Sequence, residues 1–551
     1  MDLNKGKQEA NAMEQQILSS VASVSAQQNG RVIDVREYAV GDGSDETVQI
    51  TNFFNAAQDG DTLLFTPGHY RVVKSGWFYG FNGRKVTIVG LPGSVLEVSD
   101  QGIRLEYSNY IRVDGLTLKR TTQAPWGTAK TGMYVSNSNN VIIENCDISM
   151  FTDALGMNGS SIAGQYTRNA VIRNNRFHDL GEEPIAVRQG LEYVLITGNE
   201  CYRHFGDAIL IKATRNAVIS NNYIHSGIKR SDPDFLTYSG GSTSSVLPYV
   251  GGGITCNNEG GESGAVAMYV HGNILRNVGY GVGLLGFYGA WITDNHLENI
   301  LNAVGIGVAF APSIYNPGDV TNHVFVIAGN IIDGLLRSSS TSAIEATTTK
   351  GRDGMDTGII ANNIIIPRGN HWGIQADGSI TVQNNHISEA GVGLNLLNGV
   401  VATGNIVREA HSSAPGDRSV SVYDDVVFTG NSIEGKGVTV KVRGKNSIIT
   451  NNILKYTGSW WALVIENKGL TDGGNIIKDN ILQVPSTAAG RILYGNTKFP
   501  NGKNVVVDNI TDTSGNPHQT YQELVLRASN DTHWAVKVNS AGELSVTQVQ
   551  L

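Results

Sequence analysis

The fold class that this sequence predicts is an all-β right-handed parallel β-helix, and three observations point to it. Two octapeptides nearly coincide, RNAVIRNN from Arg168 and RNAVISNN from Arg215, with the looser LEYVLITGN from Leu191 between them. An apolar run ending in asparagine then recurs at Asn175, Asn199, Asn222, Asn273, Asn295, Asn330, Asn363, Asn385, Asn405, Asn431, Asn452, Asn480 and Asn509, with VIIENCDI around Asn145 as an earlier copy. The steps between neighbours are 24, 23, 51, 22, 35, 33, 22, 20, 26, 21, 28 and 29, too irregular for a helical array and natural for coils with loops of variable length.

Within a coil, a run such as Ala170-Val171-Ile172-Arg173 alternates as a strand does, then turns at Asn-Asn or Gly-Asn, residue types that tolerate left-handed backbone angles. A second short strand follows, PIAVR from Pro184 or AILIK from Ala208. Strands of successive coils would pair about 4.8 Å apart. The 66 glycines and only 13 prolines suit many tight turns inside a hydrogen-bonded stack, and 551 residues then form one long solenoid, which grows without thickening its core.

The ends read differently. Residues 1–30 are rich in Gln, Ser and Ala, with Ile17, Val21 and Val24 at helical spacing; they are expected to be an arm, or a neck where three chains meet. In residues 31–80, Ser44 or Asp45 is placed to cap a helix whose apolar stripe is Ile50, Phe53, Phe54 and Ala57, followed by a strand from Thr62 and a Pro67-Gly68 turn. This helix would cover the open end of the coil, which otherwise exposes core and strand edges. Residues 81–510 are the β-helix, with an insertion at 226–262, and residues 511–551 alternate as a small β-rich tail that would cap the last coil or join chains.

Composition excludes several partners. A net charge of -8 with 41 scattered basic residues does not provide the cationic face that nucleic acid requires. Cys146, Cys201 and Cys256 lack CxxC spacing and read as core fillers. No basic patch followed by an apolar run opens the chain, so no signal peptide is expected, and no window suits membrane insertion. No His, Cys or Asp cluster has metal spacing, so neither a metal nor a cofactor is expected.

The order DVREYAV, GDGSDET, an amphipathic helix and LLFTPGHYRV resembles the opening of the pectate-lyase-like superfamily, particularly bacteriophage tailspikes and exopolysaccharide-degrading enzymes. The Asp-Asp-Thr usual in that opening is Asp45-Glu46-Thr47 here. The tail from Glu523, ELVLRASNDTHWAVKVNSAGELSVTQVQL, is similar to the small β-rich ends of phage tail proteins. The resemblance implies a homotrimer on a virion tail, made in the host cytoplasm and acting outside it on a bacterial surface polysaccharide, capsule or O-antigen, with other virion tail proteins as further expected partners.

Candidate site residues follow from alignment of the coils. Eight residues separate Asn175 from Glu183, and eight separate Asn199 from Asp207, so Glu183 stacks over Asp207; dropping one residue from the preceding turn brings Asp153 into the column. Paired carboxyl groups at about 5–9.5 Å are what glycosidases use, and crowding raises the proton affinity of at least one. The alternative is that these acids only cap turns. At the other end of the same strands Arg188 stacks over Lys212, either a solvated edge or a pair that holds an acidic sugar above Ala186. The insertion carries Lys229, Arg230, Tyr238 and Tyr249 and is expected to wall the site. Tyr280 and Trp372 fall in the same column and would stack on sugar rings. The expected chemistry is glycosidic hydrolysis by Glu183 and Asp207 with Asp153 in support. A polysaccharide lyase or epimerase, using one of His178, His204 and His225 as proton acceptor, and a non-enzymatic receptor-binding fibre remain open.

Overall fold

The computed structural model describes residues 3–25, 30–159, 167–188, 190–212, 214–242, 250–257, 267–285, 289–301, 304–310, 324–336, 341–348, 357–410, 418–457, 461–465, 474–484, 490–494, 505–507, 509–513, 523–527, 533–538 and 544–549. It divides into two units, Met1–Val326 and Ile327–Leu551.

In the first unit each coil lays down three strands on three parallel sheets. Leu191–Thr197 lies on the first sheet, Glu200–His204 on the second and Asp207–Lys212 on the third. Each pairs with its copy in the coil before and the coil after: Val194 with Ala170 and Ala217, Cys201 with Phe177 and Ile224, Ile209 with Ile185 and Ile254. The inward members of these columns form the core, and Cys146, Cys201 and Cys256 are free thiols buried in it, as the sequence leads one to expect. Burial pushes the Cys146 thiol up to about 12, which makes it inert filler.

What sets the register from Asn175 onward is the asparagine that ends the first-sheet run; in the coil before, Cys146 holds that position, its N–H donating to Asn175 Oδ1 at 2.9 Å, and Asn145 takes the left-handed turn. The backbone N–H and side-chain amide of Asn199 both donate to the Oδ1 of Asn222, at 3.0 Å each, and Asn222 donates in the same way to Asn273 at 3.0 and 2.9 Å. The same link joins Asn175 to Asn199 and Asn273 to Asn295. The remaining amide hydrogen of Asn222 goes to the Ile196 carbonyl at 3.0 Å. These side chains are buried, so the expectation that both members of an Asn-Asn or Gly-Asn pair serve the turn needs correction. Only the first takes the left-handed backbone, Asn174, Gly198, Asn221 and Gly272 at φ of 55°, 66°, 55° and 64°; the second is a core rung.

The first-sheet runs are apolar on both faces, and the N-terminal helix Leu3–Ser25 supplies the reason. Its Ala10, Ile17 and Val21 pack on the outward row Ile142, Val171, Leu195, Val218 and Tyr269, and Tyr269 donates to Glu9 at 3.1 Å. Ile17 and Val21 therefore meet their own sheet rather than a neck between chains; the side chain of Val24 lies outside the described residues. The capping helix is Thr47–Ala56 with Ile50, Phe53 and Phe54 buried. Its N-cap is Glu46 rather than Ser44 or Asp45. Asp45 accepts from the Thr47 N–H at 3.0 Å, while the buried Glu46 carboxylate accepts from the N–H groups of Val40 and Gly41 at 2.6 and 2.9 Å, so the departure to Glu at this position ties down the preceding loop.

The second unit repeats the three-sheet coil, with asparagine links from Asn330 through Asn363, Asn385, Asn405, Asn431, Asn452 and Asn480 to Asn509. It also holds an antiparallel three-stranded sheet, Glu523–Arg527, His533–Val538 and Leu544–Val549, where the sequence pattern places a β-rich tail. Among the described residues no helix is long and apolar enough to cross a membrane.

Replacing Asn222 by Ala strands buried partners in the coil before, Asn199 and the Ile196 carbonyl, and in the coil after, Asn273. Each buried group left unsatisfied costs roughly 1–3 kcal/mol, so Asn222→Ala is expected to lower unfolding free energy by at least about 2 kcal/mol in urea denaturation, whereas Tyr223→Ala, at a position 37% exposed, should change it little.

Candidate active site

The register on the third sheet brings the acidic column together. Leu155 pairs with Ile185 and Ile185 with Ile209, which sets Asp153, Glu183 and Asp207 on consecutive rungs. Asp207 pairs with Gly252, and the pairing of Ile254 with Val282 places Tyr280 on the rung after Gly252. The aligned spacing in the sequence therefore identified a real column, and Arg188 and Lys212 also share a column as expected.

The basic column works differently from the expectation. Arg188 Nη2 lies 3.1 Å from the Asp153 carboxylate and 3.4 Å from that of Glu183, so the guanidinium is turned into the acidic cluster rather than held out for an acidic sugar. Ala186 beneath it is fully buried and is no open floor.

Glu182 completes the site, and the alignment of coils missed it. Carboxylate oxygens of Asp153, Glu182 and Glu183 lie within 4.8 Å of one another. Glu182 sits at the corner between the second and third sheets, where its N–H donates to the Thr152 carbonyl and its own carbonyl accepts from the Gly206 N–H. Its neighbours along the column are thus Thr152 and Gly206, neither of them acidic. The available signal was the doubled acid of GEEP, read as one turn position instead of two outward ones. These three groups have the chemistry to surround a cation, but Arg188 already supplies positive charge to two of them.

Crowding and burial decide the protonation states. Burial first, then the Asp153 charge, pushes Glu182 up to about 7 against the opposing pull of Arg188. Glu183 is raised well above the carboxylate range by burial, Asp153 and Glu182. Burial raises Asp207 as well, and here hydrogen bonds from Tyr280 and Thr255 and the Lys212 charge work against the rise. Burial and crowding thus raise the proton affinity of Glu182 and Glu183, while at Asp207 three partners limit the rise that burial causes.

Other expected residues are distributed as follows. The Tyr280 hydroxyl donates to Asp207, so this half-buried ring serves a carboxylate. Trp372 belongs to the second unit, where it pairs with Ser342 and Val392. In the insertion, Tyr238 is buried: its hydroxyl donates to Asp179 at 2.8 Å, its carbonyl accepts from Trp126 at 2.6 Å, and its neighbour Phe235 packs on Phe205 with ring centroids 5.4 Å apart. Arg203 donates to Asp179 at 2.7 Å and pairs with Asp234. Tyr238 is an anchor of the insertion, not a substrate ligand. The insertion nevertheless flanks the acids, since Phe205 precedes Asp207 by two residues. Lys229, bridged to Val250, and Arg230 are both half-buried, and Tyr249 lies outside the described residues.

The histidines are spoken for. His178 lies between Asp147 at 2.9 Å and Asp179 at 2.7 Å, and although burial opposes it these bonds push the imidazole up to about 9. It stacks on Tyr202, which stacks on His225. His204 is in the core, donating to the Gly252 carbonyl at 2.8 Å, and burial lowers it to about 4.

Residues 101–299 match the family model described as a right handed beta helix region, in agreement with the three parallel sheets. No curated protein matches the chain. Among solved structures it is similar to the catalytic unit of a thermostable GH87 alpha-1,3-glucanase from Streptomyces thermodiastaticus, at 14% identity over 88% of this chain and 71% of that one, with a TM-score of 0.36. It is similar to the A-module of a mannuronan C-5 epimerase of Azotobacter vinelandii, at 14% identity over 87% and 99% of the two chains, TM-score 0.24. A tailspike protein double mutant of E. coli bacteriophage HK620 aligns at 7% identity over 92% and 84%, TM-score 0.45. None of the three lends a residue role or a substrate to this chain.

The raised carboxyl makes stability depend on pH. With Glu182 at about 7 in the folded chain against an ordinary 4.5, the folded state binds more protons between those values; the contribution is full below about pH 4.5 and lost as pH rises through about 7. Glu182→Gln removes that loss. Relative to the unaltered chain, its melting temperature by calorimetry should be higher at pH 8 than the same comparison gives at pH 4; the opposite ordering would show that Glu182 is not held in its protonated form.

Proposed function

We propose that this protein is a tailspike-like depolymerase that hydrolyses glycosidic bonds of a bacterial surface polysaccharide. The single observation that carries the reading is the compact group Asp153, Glu182 and Glu183 beside Asp207, in which burial and crowding raise the proton affinity of Glu182 and Glu183 while Tyr280, Thr255 and the Lys212 charge limit the rise at Asp207. Such a contrast is what glycoside hydrolysis needs. Asp207 takes a proton from water as the water oxygen bonds to the anomeric carbon, the bond from that carbon to the bridging oxygen breaks, and a glutamic acid gives its proton to the departing oxygen. Glu182 is the half-buried member of the cluster and on this reading the acid that meets substrate; Asp153 and Glu183 are more buried and lie against Arg188.

The residues that form the cap resemble those of phage tailspikes, which supports a virion tail as the setting and a homotrimer as the assembly. A column on the second sheet of the second unit adds to the latter: in order Ile331, Ile364, His386, Ile406, Ser432, Ile453 and Ile481, it exposes Ile331, Ile364, Ile453 and Ile481 to 38%, 46%, 41% and 36%, a largely apolar row, interrupted by His386 and Ser432, that suits a second copy. Light scattering at micromolar concentration should give a trimeric mass; a monomeric mass would contradict the assembly.

A lyase or epimerase would need a base at neutral pH to remove a carbon-bound proton. His178, already protonated, and His204, sealed in the core, do not favour that reading.

The test is digestion of a panel of purified capsular and O-antigen polysaccharides. Hydrolysis gives new reducing ends without an ultraviolet-absorbing double bond, elimination gives both, and an adhesin gives neither. On the polysaccharide cleaved, Glu182→Gln and Asp207→Asn should lower kcat by about 100-fold or more with binding retained, and Asp153→Asn should lower it less. For the unaltered enzyme kcat/KM should fall as pH rises above about 7, where Glu182 gives up its proton. Full turnover by both amide variants would place the chemistry elsewhere.

A further inference from the structure

We infer that Tyr280 is a positioning residue for Asp207, its ring laid back along the column over Gly252 and its hydroxyl, tied to Thr255, fixing the orientation of the Asp207 carboxylate toward substrate. The inference rests on the proposed hydrolysis and deepens it by saying what holds the base.

The geometry begins with the register. Gly252 stands between Asp207 and Tyr280 in the column, so Tyr280 starts two rungs away, about 9.6 Å along the stack. Only a side chain as long as tyrosine, running across the intervening position, spans that gap. Gly252 leaves the path clear: a Cβ there would fall 2.4 Å from two carbons of the Tyr280 ring. Gly252 has no left-handed φ, unlike Gly240 and Gly272 at 65° and 64°, so backbone freedom does not account for a glycine here and the passage of the ring does.

The hydroxyl then ends at two oxygens, Asp207 Oδ1 and Thr255 Oγ1. A tyrosine hydroxyl has one proton to give. Burial, then the neighbouring Asp207 charge, holds Tyr280 far above its usual range, so it remains a donor. Its proton goes to the carboxylate, and the single Thr255 hydroxyl proton is shared between the Tyr280 oxygen and Asp207. A hydrogen bond to the charged form favours that form. This matters at Asp207 because burial pulls the other way. A base that was protonated at neutral pH could not accept a proton from water, and one free to rotate would not face the reacting oxygen.

Two readouts separate this inference from the hydrolysis on which it rests. The first needs no turnover: the titration of Asp207, followed by carbon NMR of aspartate-labelled protein and assigned with Asp207→Asn. Tyr280→Phe keeps the ring over Gly252 and removes only the hydroxyl, and it should move the Asp207 titration up by about one pH unit. Gly252→Ala, which keeps the hydroxyl and displaces the ring, should move it in the same direction. The second readout is the pH profile of kcat on the polysaccharide that the unaltered enzyme cleaves. Tyr280→Phe should shift the acidic limb to higher pH and lower kcat about 10-fold, with KM and melting temperature little changed. An Asp207 titration and an acidic limb that stay in place in Tyr280→Phe would overturn the inference and leave hydrolysis standing. A shifted titration in a protein that opens no polysaccharide would uphold the contact between Tyr280 and Asp207 and overturn the hydrolytic reading.

Discussion

From Asn175 to Asn295 in the first unit, and from Asn330 to Asn509 in the second, a buried asparagine amide links one coil to the next, and the placement of the outward side chains of these coils depends on it. Each amide has four hydrogen-bonding positions, and Asn222 uses all of them on protein partners: Oδ1 accepts twice from Asn199, and Nδ2 donates to the Ile196 carbonyl and to Asn273. Aspartate lacks the donors and glutamine is a methylene too long. A coil that slipped by one residue would bring a side chain of the wrong kind to a core position where no water can replace the lost bonds. The ladder thus turns a flexible pattern, with coils from 20 to 51 residues apart, into fixed register.

Fixed register is also what makes the acids unusual. Side chains on neighbouring rungs stand about 4.8 Å apart, and on the third sheet three consecutive rungs carry carboxyl groups, with Glu182 added at the corner. In water such groups would all ionise; half-buried and stacked, they do not. The energy that crowding takes from the fold is offset by the ladder and by Arg188, and it appears as the raised proton affinity that acid catalysis requires. On the proposed hydrolysis, stability and function are opposed at Glu182, as is common where charged groups are held in place for chemistry.

Much of this was legible in the sequence, and the rest was hidden for identifiable reasons. Counting from Asn175 and Asn199 located Glu183 and Asp207 because the ladder makes that count equal in aligned coils, while Asp153 needed a one-residue gap because Cys146 holds the ladder position in its coil. It missed Glu182 because a corner exposes two successive positions where a strand exposes alternate ones. The count also placed Tyr280 in the right column but did not reveal which way its ring runs; the glycine at 252 was the signal, visible only once two coils are superposed. The insertion looked polar in composition, yet Phe235 and Tyr238 are buried by contacts with Phe205 and Asp179, far off in sequence. The covered outer face of the first sheet could have been read from Val171, Leu195 and Val218, apolar where an exposed face would be polar.

The central claim is that register forces carboxyl groups together until one keeps its proton at neutral pH. Difference infrared spectroscopy of the intact protein measures this directly, because a protonated carboxyl and a carboxylate absorb at separate frequencies. At pH 6.5 the unaltered protein should show a protonated-carboxyl band that diminishes in Glu183→Gln while the fold is unchanged. A spectrum with carboxylate bands alone, identical in form for both proteins, would contradict the account.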